Sequence, residues 1–371
     1  MKIMKIKKSI LDLVPYPPGK PIEELTREYG IQEVIKLASN ENPLGPSPQA
    51  LKAIRRALSQ LHRYPDGSGY YLKQSLGRFL GFPPEQILLG NGSNEIIELA
   101  LKTFLKPGFE VISPLPSFLV YEKAVQALGG KNILVPLKRF IVDLDAMRDQ
   151  IGPRTQVIIV NNPNNPTGTI IKRKTWERFL SSIPERILVL LDEAYIDFVE
   201  DPNCPKGLDY LNSGKNLLVI RTFSKAYGLA GLRIGYGLAR PELADYINRV
   251  RQPFNVNSLA QAGAQGALKD QAFYDKTLAL IHRGKKAIES GLTQMGLVYL
   301  PSQTNFILIK VPLKAQWVYE AMLRKGVIIR SMQSYGLDEF IRVNIGLPEE
   351  NRRFLRALKQ VVGNTRKDSR S

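Results

Sequence analysis

The sequence predicts an α/β chain with three parts: an N-terminal arm, a large domain on a mainly parallel sheet, and a smaller α+β domain at the C-terminal end. Three observations carry that reading. Between about 108 and 260, short β-rich runs alternate with helical patterns. The runs at 110–112, 156–160, 187–191 and 217–221 are mostly continuous in apolar residues, as strands buried on both faces of a parallel sheet must be. After about 260 the alternation gives way to long helical patterns with a few strands between them. A chain of 371 residues with 44% hydrophobic content can bury a sizeable core, and its length suits one large domain plus a smaller one. The expected divisions are 1–45, 46–260 and 261–371.

Taken in order, the arm contains a helical pattern, Ile22–Tyr29, between proline-rich pieces. Asn40-Glu41-Asn42-Pro43-Leu44-Gly45-Pro46 is a loop of turn formers. A helical pattern follows over 48–61, then the turn Arg63-Tyr64-Pro65-Asp66-Gly67. Residues 86–89 read as a short strand. Gly90-Asn91-Gly92-Ser93-Asn94-Glu95 comes next and opens an apolar helix over 96–104. A glycine-rich turn at a helix start presents free N–H groups and the positive end of the helix dipole, so it can take an anion. Many strand-to-helix loops share that property. Beyond 260, helical patterns cover 259–292, 317–325 and 351–362. Strands are expected at 298–300, 306–309, 327–330 and 340–346. The polar tail from 364 is expected to fray.

Composition narrows the function classes. Cys204 is the one cysteine, so no intrachain disulfide can form, and with His62 and His282 as the only histidines no Cys–His metal spacing exists. No metal site is expected. The basic start, Met1 to Lys8, is not followed by an adequate apolar run before Pro15, Pro17 and Pro18. This reads against a secretory leader. No window is apolar enough to span a membrane, and the expected location is the cytoplasm. The net charge of +18 raises nucleic-acid binding as a hypothesis of another class. Yet the cations are spread among 34 acids, and no RNP strand, zinc finger or basic heptad occurs. The charge reads as a solvated surface with some attraction for anionic substrates.

In a parallel sheet, ligands sit outside the carboxyl ends of the strands. The residues just past each strand are therefore informative. After Ile112 the chain reaches Phe118; after Val160, Asn165; after Leu191, Asp192 and Tyr195; after Arg221, Thr222-Phe223-Ser224-Lys225. A lysine amine is a nucleophile once burial or nearby cations strip its proton. Ser224 and Arg233 flank it, and both suit a phosphate. The pair suggests a cofactor with an aldehyde and a phosphate, pyridoxal phosphate, held by Lys225 as a Schiff base. Asp192 then sits by the ring nitrogen, while Glu193 points elsewhere. Tyr195 and Asn165 bond the ring oxygen, Phe118 stacks on the ring, and Gly92, Ser93 and Asn94 join Ser224 and Arg233 at the phosphate. Singly, Asn165 reads equally well as an Asn-Pro turn and Asp192 as a helix cap. Together with Lys225 they form a constellation. On the later strands, Arg342 is flanked by apolar residues and calls for an anion. Arg330 reads either as an anion contact or as an edge residue with its head in solvent.

With these residues in view, the chain resembles the fold-type I aminotransferases that depend on pyridoxal phosphate, and most of all the histidinol-phosphate aminotransferase family. The likeness runs from Tyr16 to the last helix. Asn40 to Gly45, Gly90 to Ser93, Asn164-Asn165-Pro166-Thr167-Gly168, Asp192-Glu193-Ala194-Tyr195 and Ser224 to Arg233 stand in the family's order. The resemblance implies a seven-stranded sheet and amino transfer between L-histidinol phosphate and 2-oxoglutarate in histidine biosynthesis. It implies a homodimer in which Tyr64 reaches the neighbouring subunit's cofactor phosphate. It also sets Tyr16, Asn42, Arg330 and Arg342 near the substrate. Phe118 and Phe254 occupy places where some relatives carry tyrosine, which keeps stacking and removes a hydroxyl. Aromatic-amino-acid aminotransferases and threonine-phosphate decarboxylases share much of the pattern and stay open as alternatives.

Overall fold

The computed structural model describes residues 6–15 and 19–368. Two helices, α1 (Lys8–Leu11) and α2 (Ile22–Tyr29), lead to strand β1 (Ile35–Lys36). Helix α3 (Pro48–Ala57) starts at Ser47, whose hydroxyl accepts the Ala50 N–H at 3.1 Å. Next come α4 (Tyr70–Leu80), β2 (Ile87–Gly90), α5 (Ser93–Phe104), β3 (Glu110–Leu115), α6 (Val120–Ala127), β4 (Lys131–Pro136) and α7 (Leu144–Asp149). Then β5 (Thr155–Asn161), α8 (Arg173–Ser182), β6 (Leu188–Asp192), β7 (Leu217–Thr222), β8 (Gly235–Leu238), α9 (Pro241–Arg249) and α10 (Ser258–Leu268) complete the first part.

These strands form one seven-stranded sheet in the order β2-β8-β7-β6-β5-β3-β4. From β4 through to β7 every neighbouring pair is parallel, while β8 runs antiparallel to both β7 and β2. Successive parallel strands need a crossover: α6 links β3 to its neighbour β4, α7 carries the chain from β4 past β3 to β5, and α8 links β5 to its neighbour β6. Apolar cores lie on both faces, Val160, Leu191 and Val219 on one and Ile159, Leu190 and Ile220 on the other. That explains the uninterrupted apolar runs.

Two strands of this sheet are not anticipated by the sequence pattern. β4 opens on Lys131-Asn132 and lies half-exposed at the sheet edge, so it lacks a buried strand's apolar run. β8 reads Gly-Tyr-Gly-Leu, and glycine carries no strand signal.

The second part holds α11 (Gln271–Gln294), β9 (Phe306–Lys310), α12 (Ala315–Leu323), β10 (Val327–Ile328), β11 (Arg330–Ser331), β12 (Phe340–Asn344) and α13 (Pro348–Asp368). Three of these strands make an antiparallel sheet, β11-β12-β9. The expected strand at 327–330 splits in two, because β10 turns away to pair with β1 of the arm. Leu25 and Ala38 share a core with Leu323 of α12 and Ile328 of β10, which fixes that part of the arm to those two elements. Residues 298–300 form only a bridge, Tyr299 to Ile309. The helical pattern over 259–292 breaks at Asp270, whose carboxylate caps α11 through the Phe273 N–H at 3.3 Å. The expected frayed tail instead continues α13 as far as Asp368. Residue 260 lies inside α10, and Ala260, Ala264 and Ala267 all belong to the large sheet's core. We therefore propose that the domain boundary falls between α10 and α11. Among the described residues, no helix is long and apolar enough to cross a membrane.

Candidate active site

Parallel strands deliver their carboxyl ends to one edge of the sheet, so the turns after them can meet there. β5, β6 and β7 end in Asn161, Asp192 and Thr222, and the turns beyond them carry Asn165, Tyr195, Ser224 and Lys225. All of these line one cavity of about 460 Å³, completed by Phe118, Ser93, Asn94 and Arg233.

Lys225 Nζ donates to the Ser39 carbonyl at 3.2 Å and lies 5.7 Å from the Tyr195 ring centre. Burial, then the Arg342 guanidinium, pulls its amine down to about 8. Asp192 is buried, and its Oδ2 accepts the Tyr121 hydroxyl at 2.7 Å while Oδ1 accepts the Ala194 N–H at 3.0 Å. Burial pushes this carboxyl up to about 6, against the pull of those two donors. A cation placed beside Asp192 would restore its charge. Glu193 points away as expected: its carboxylate pairs with Arg221 at 2.8 Å and accepts the Gly207 N–H.

At the other end of the cavity the start of α5 meets Arg233. The first N–H groups of a helix have no partner inside it, which makes this corner suitable for an anion. The fit depends on two glycines. Gly92 has φ +80°, and a Cβ there would stand 2.5 Å from Arg233 Nη2. A Cβ on Gly235 would stand 2.4 Å from the Ser93 nitrogen. Arg233 donates from Nη1 to the Ala230 carbonyl at 3.1 Å and to Ser224 Oγ at 3.5 Å. Amine, carboxylate and anion corner thus share one pocket, with a phenyl ring at its side. That donor set fits a group bearing an aldehyde, a basic ring nitrogen and a phosphate. Among the described residues, no cluster of His, Cys, Asp and Glu could hold a metal ion.

The family pattern described as aminotransferase class I and II matches residues 32–358. The chain belongs to that family. It is 46% identical over 361 residues to histidinol-phosphate aminotransferase of Moorella thermoacetica, covering 97% of this chain and 94% of the relative. It is 50% identical to histidinol-phosphate aminotransferase 2 of Pseudomonas aeruginosa, covering 94% and 95% of the two chains. A crystal structure of histidinol-phosphate aminotransferase from Sinorhizobium meliloti, in complex with pyridoxal-5'-phosphate, superposes with a TM-score of 0.88 at 28% identity, covering 98% of this chain and 99% of that one. The family expected from the sequence is the one these relatives represent.

In this aminotransferase the other expected site residues are placed unevenly. Arg342 is 6% exposed; its Nη1 donates to Asn165 Oδ1 and its Nη2 to the Ala38 carbonyl at 3.0 Å. Arg330 stands opposite Arg342 in the β11–β12 register, but it lines a separate cavity of about 240 Å³ with Lys20 and Tyr319. Asn42 is not at the main cavity. Its amide donates to the Ala226 carbonyl at 2.9 Å and accepts the Leu44 N–H at 3.0 Å. Tyr64 is 83% exposed and stacks on Phe254 at 4.8 Å, facing an open pocket apart from the main cavity. Tyr16 lies outside the described residues. Sequence reasoning missed Tyr121, Ser39 and Asn161. Tyr121 stands three residues after Phe118, one helical turn on, and that spacing is the one signal that could have found it.

Proposed function

We propose that this aminotransferase uses pyridoxal 5'-phosphate to move the amino group of L-histidinol phosphate to 2-oxoglutarate, giving imidazole acetol phosphate and glutamate in histidine biosynthesis. The observation that carries this is the meeting of Lys225, Asp192, Ser224 and Arg233 in one cavity with the start of α5. The names of relatives that share about half of its residues over nearly the whole chain support the substrate. When bound, the cofactor supplies an electron sink that lets the substrate carbon beside the amine give up a proton.

The chain's own residues do the rest. Lys225 Nζ would hold the cofactor's aldehyde carbon, and its amine would take the proton from the substrate carbon and return it. Asp192 would keep the ring nitrogen protonated, with Tyr121 fixing the carboxylate's direction. Tyr195 and Asn165 would serve the ring oxygen, and Phe118 would pack against the ring. Ser93, Asn94, Ser224 and Arg233 hold the phosphate, and Tyr64 of a second copy adds to it in a homodimer. The amino donor carries a phosphate and no α-carboxylate, whereas glutamate carries two carboxylates. A guanidinium fork suits either anion, and Arg342 takes that place, with Arg330 adding a contact.

The test is a panel of amino donors assayed with 2-oxoglutarate. The highest kcat/KM is expected for histidinol phosphate. A preference for phenylalanine would move the enzyme to the aromatic aminotransferases, and released CO2 from threonine phosphate would make it a decarboxylase.

A further inference from the structure

Asn40 joins three parts of the molecule. Its backbone is left-handed, φ +55°, and the residue is 2% exposed. Its N–H donates to Asn344 Oδ1, at the end of β12, at 3.2 Å. Its carbonyl accepts Nδ2 of Asn305, next to β9, at 3.0 Å. Its own Nδ2 donates to Tyr195 Oη at 2.9 Å. The small sheet thus holds the backbone of Asn40 from both sides, and the side chain is delivered to the phenol that lines the cavity. The Tyr195 ring is held from the same side, edge-on to Phe306 of β9 at 5.1 Å.

The direction of the third bond matters. A phenol has one proton to give and lone pairs to receive. Because Asn40 fills the accepting role, the phenol proton is left for a partner inside the cavity. Accepting one hydrogen bond also polarises the O–H and strengthens the bond it donates. We propose that Asn40 is a positioning residue: it fixes Tyr195 as a hydrogen-bond donor into the cavity and ties that donor to the β9–β12 sheet. This rests on the proposed function, in which Tyr195 faces the ring oxygen of the cofactor. A donor there favours the anionic form of that oxygen. Asn40 therefore lowers the pH at which the bound cofactor titrates, although it touches neither cofactor nor substrate in that reading.

The experiment uses the holoenzyme and reads the pH midpoint of the change in the cofactor's visible absorption. Asn40→Gly keeps the left-handed backbone at no steric cost and removes the amide. Asn40→Asp also tolerates that backbone, but its carboxylate accepts the phenol proton and reverses the bond. The midpoint is expected to rise by about half a pH unit in Asn40→Gly and by more than about one unit in Asn40→Asp. The Gly shift should vanish when Tyr195→Phe is already present. An Asn40→Asp enzyme that titrates like wild type would overturn the proposal, because the phenol proton would then already point at Asn40. A Gly shift that survives in the Tyr195→Phe background would overturn it too. Those results leave the site reading intact. A wild type with no visible band, or a Tyr195→Phe enzyme with an unchanged midpoint, would remove the site reading and this proposal together.

Discussion

An amine that attacks a carbonyl must first be free of its proton. Burial and the neighbouring guanidinium hold Lys225 near 8, well below the 10.5 of a free lysine. The rate at which the cofactor-free protein takes up pyridoxal phosphate covalently should therefore rise with pH and level off above about 8. Stability should follow the same group. Between about 8 and 10.5 the unfolded chain keeps a proton on this lysine that the folded chain has lost, so the folded state gains as pH rises through that window. Denaturant unfolding of the cofactor-free protein at pH 8 and pH 9.5 would check this, and Lys225→Met should flatten the difference. Asp192→Asn should still bind cofactor. It should lose about 10- to 150-fold in kcat, the equivalent of 1.5–3 kcal/mol for a charge-assisted bond. Near-wild-type turnover would remove its role at the ring nitrogen. Lys225, Asp192, Asn165 and Ser224 were legible in the sequence because each comes soon after an apolar run. Tyr121 and Asn40 were not, since their meaning lies in partners 71 and 155 residues away along the chain.

At the scale of elements, the anion corner exists only because β8 lets the start of α5 come close. Gly235 leaves no side chain between the strand and the Ser93 nitrogen. In Gly235→Ala the added methyl meets backbone, which cannot swing aside as a side-chain tip can. α5 must shift, and its N–H groups move off the phosphate. The cofactor dissociation constant should rise at least about tenfold, the equivalent of one lost charged hydrogen bond, with a lower Tm in the cofactor-free protein as well. Unchanged affinity would separate the phosphate from the α5 corner. The glycines that make this approach possible also hid β8 from the sequence pattern, because they replaced the apolar residues by which a strand is recognised. The edge strand β4 was hidden for the opposite reason: its first residues are polar and half in solvent. The central strands were legible because both of their faces are buried.

At the scale of the whole molecule, one aromatic residue stays unexplained by a single chain. Tyr64 and Phe254 stack on each other while 83% and 44% exposed, and Leu61 beside them is 57% exposed. Three large apolar side chains stand in solvent at one pocket, which fits the homodimer proposed above. A second copy of this chain satisfies both the surface and the phosphate contact expected of Tyr64. The consequence can be tested by mixing variants. In a dimer with shared sites, a Tyr64→Phe subunit keeps its lysine but offers its neighbour a damaged contact. A Lys225→Ala subunit has a dead site of its own but offers an intact Tyr64. After subunit exchange, each hybrid contains one site with both native residues. Activity should therefore rise above the sum of the two parents as exchange proceeds, at the rate at which hybrids form. If the Tyr64→Phe enzyme alone is impaired and exchange restores nothing, Tyr64 acts within its own chain and this surface serves another purpose.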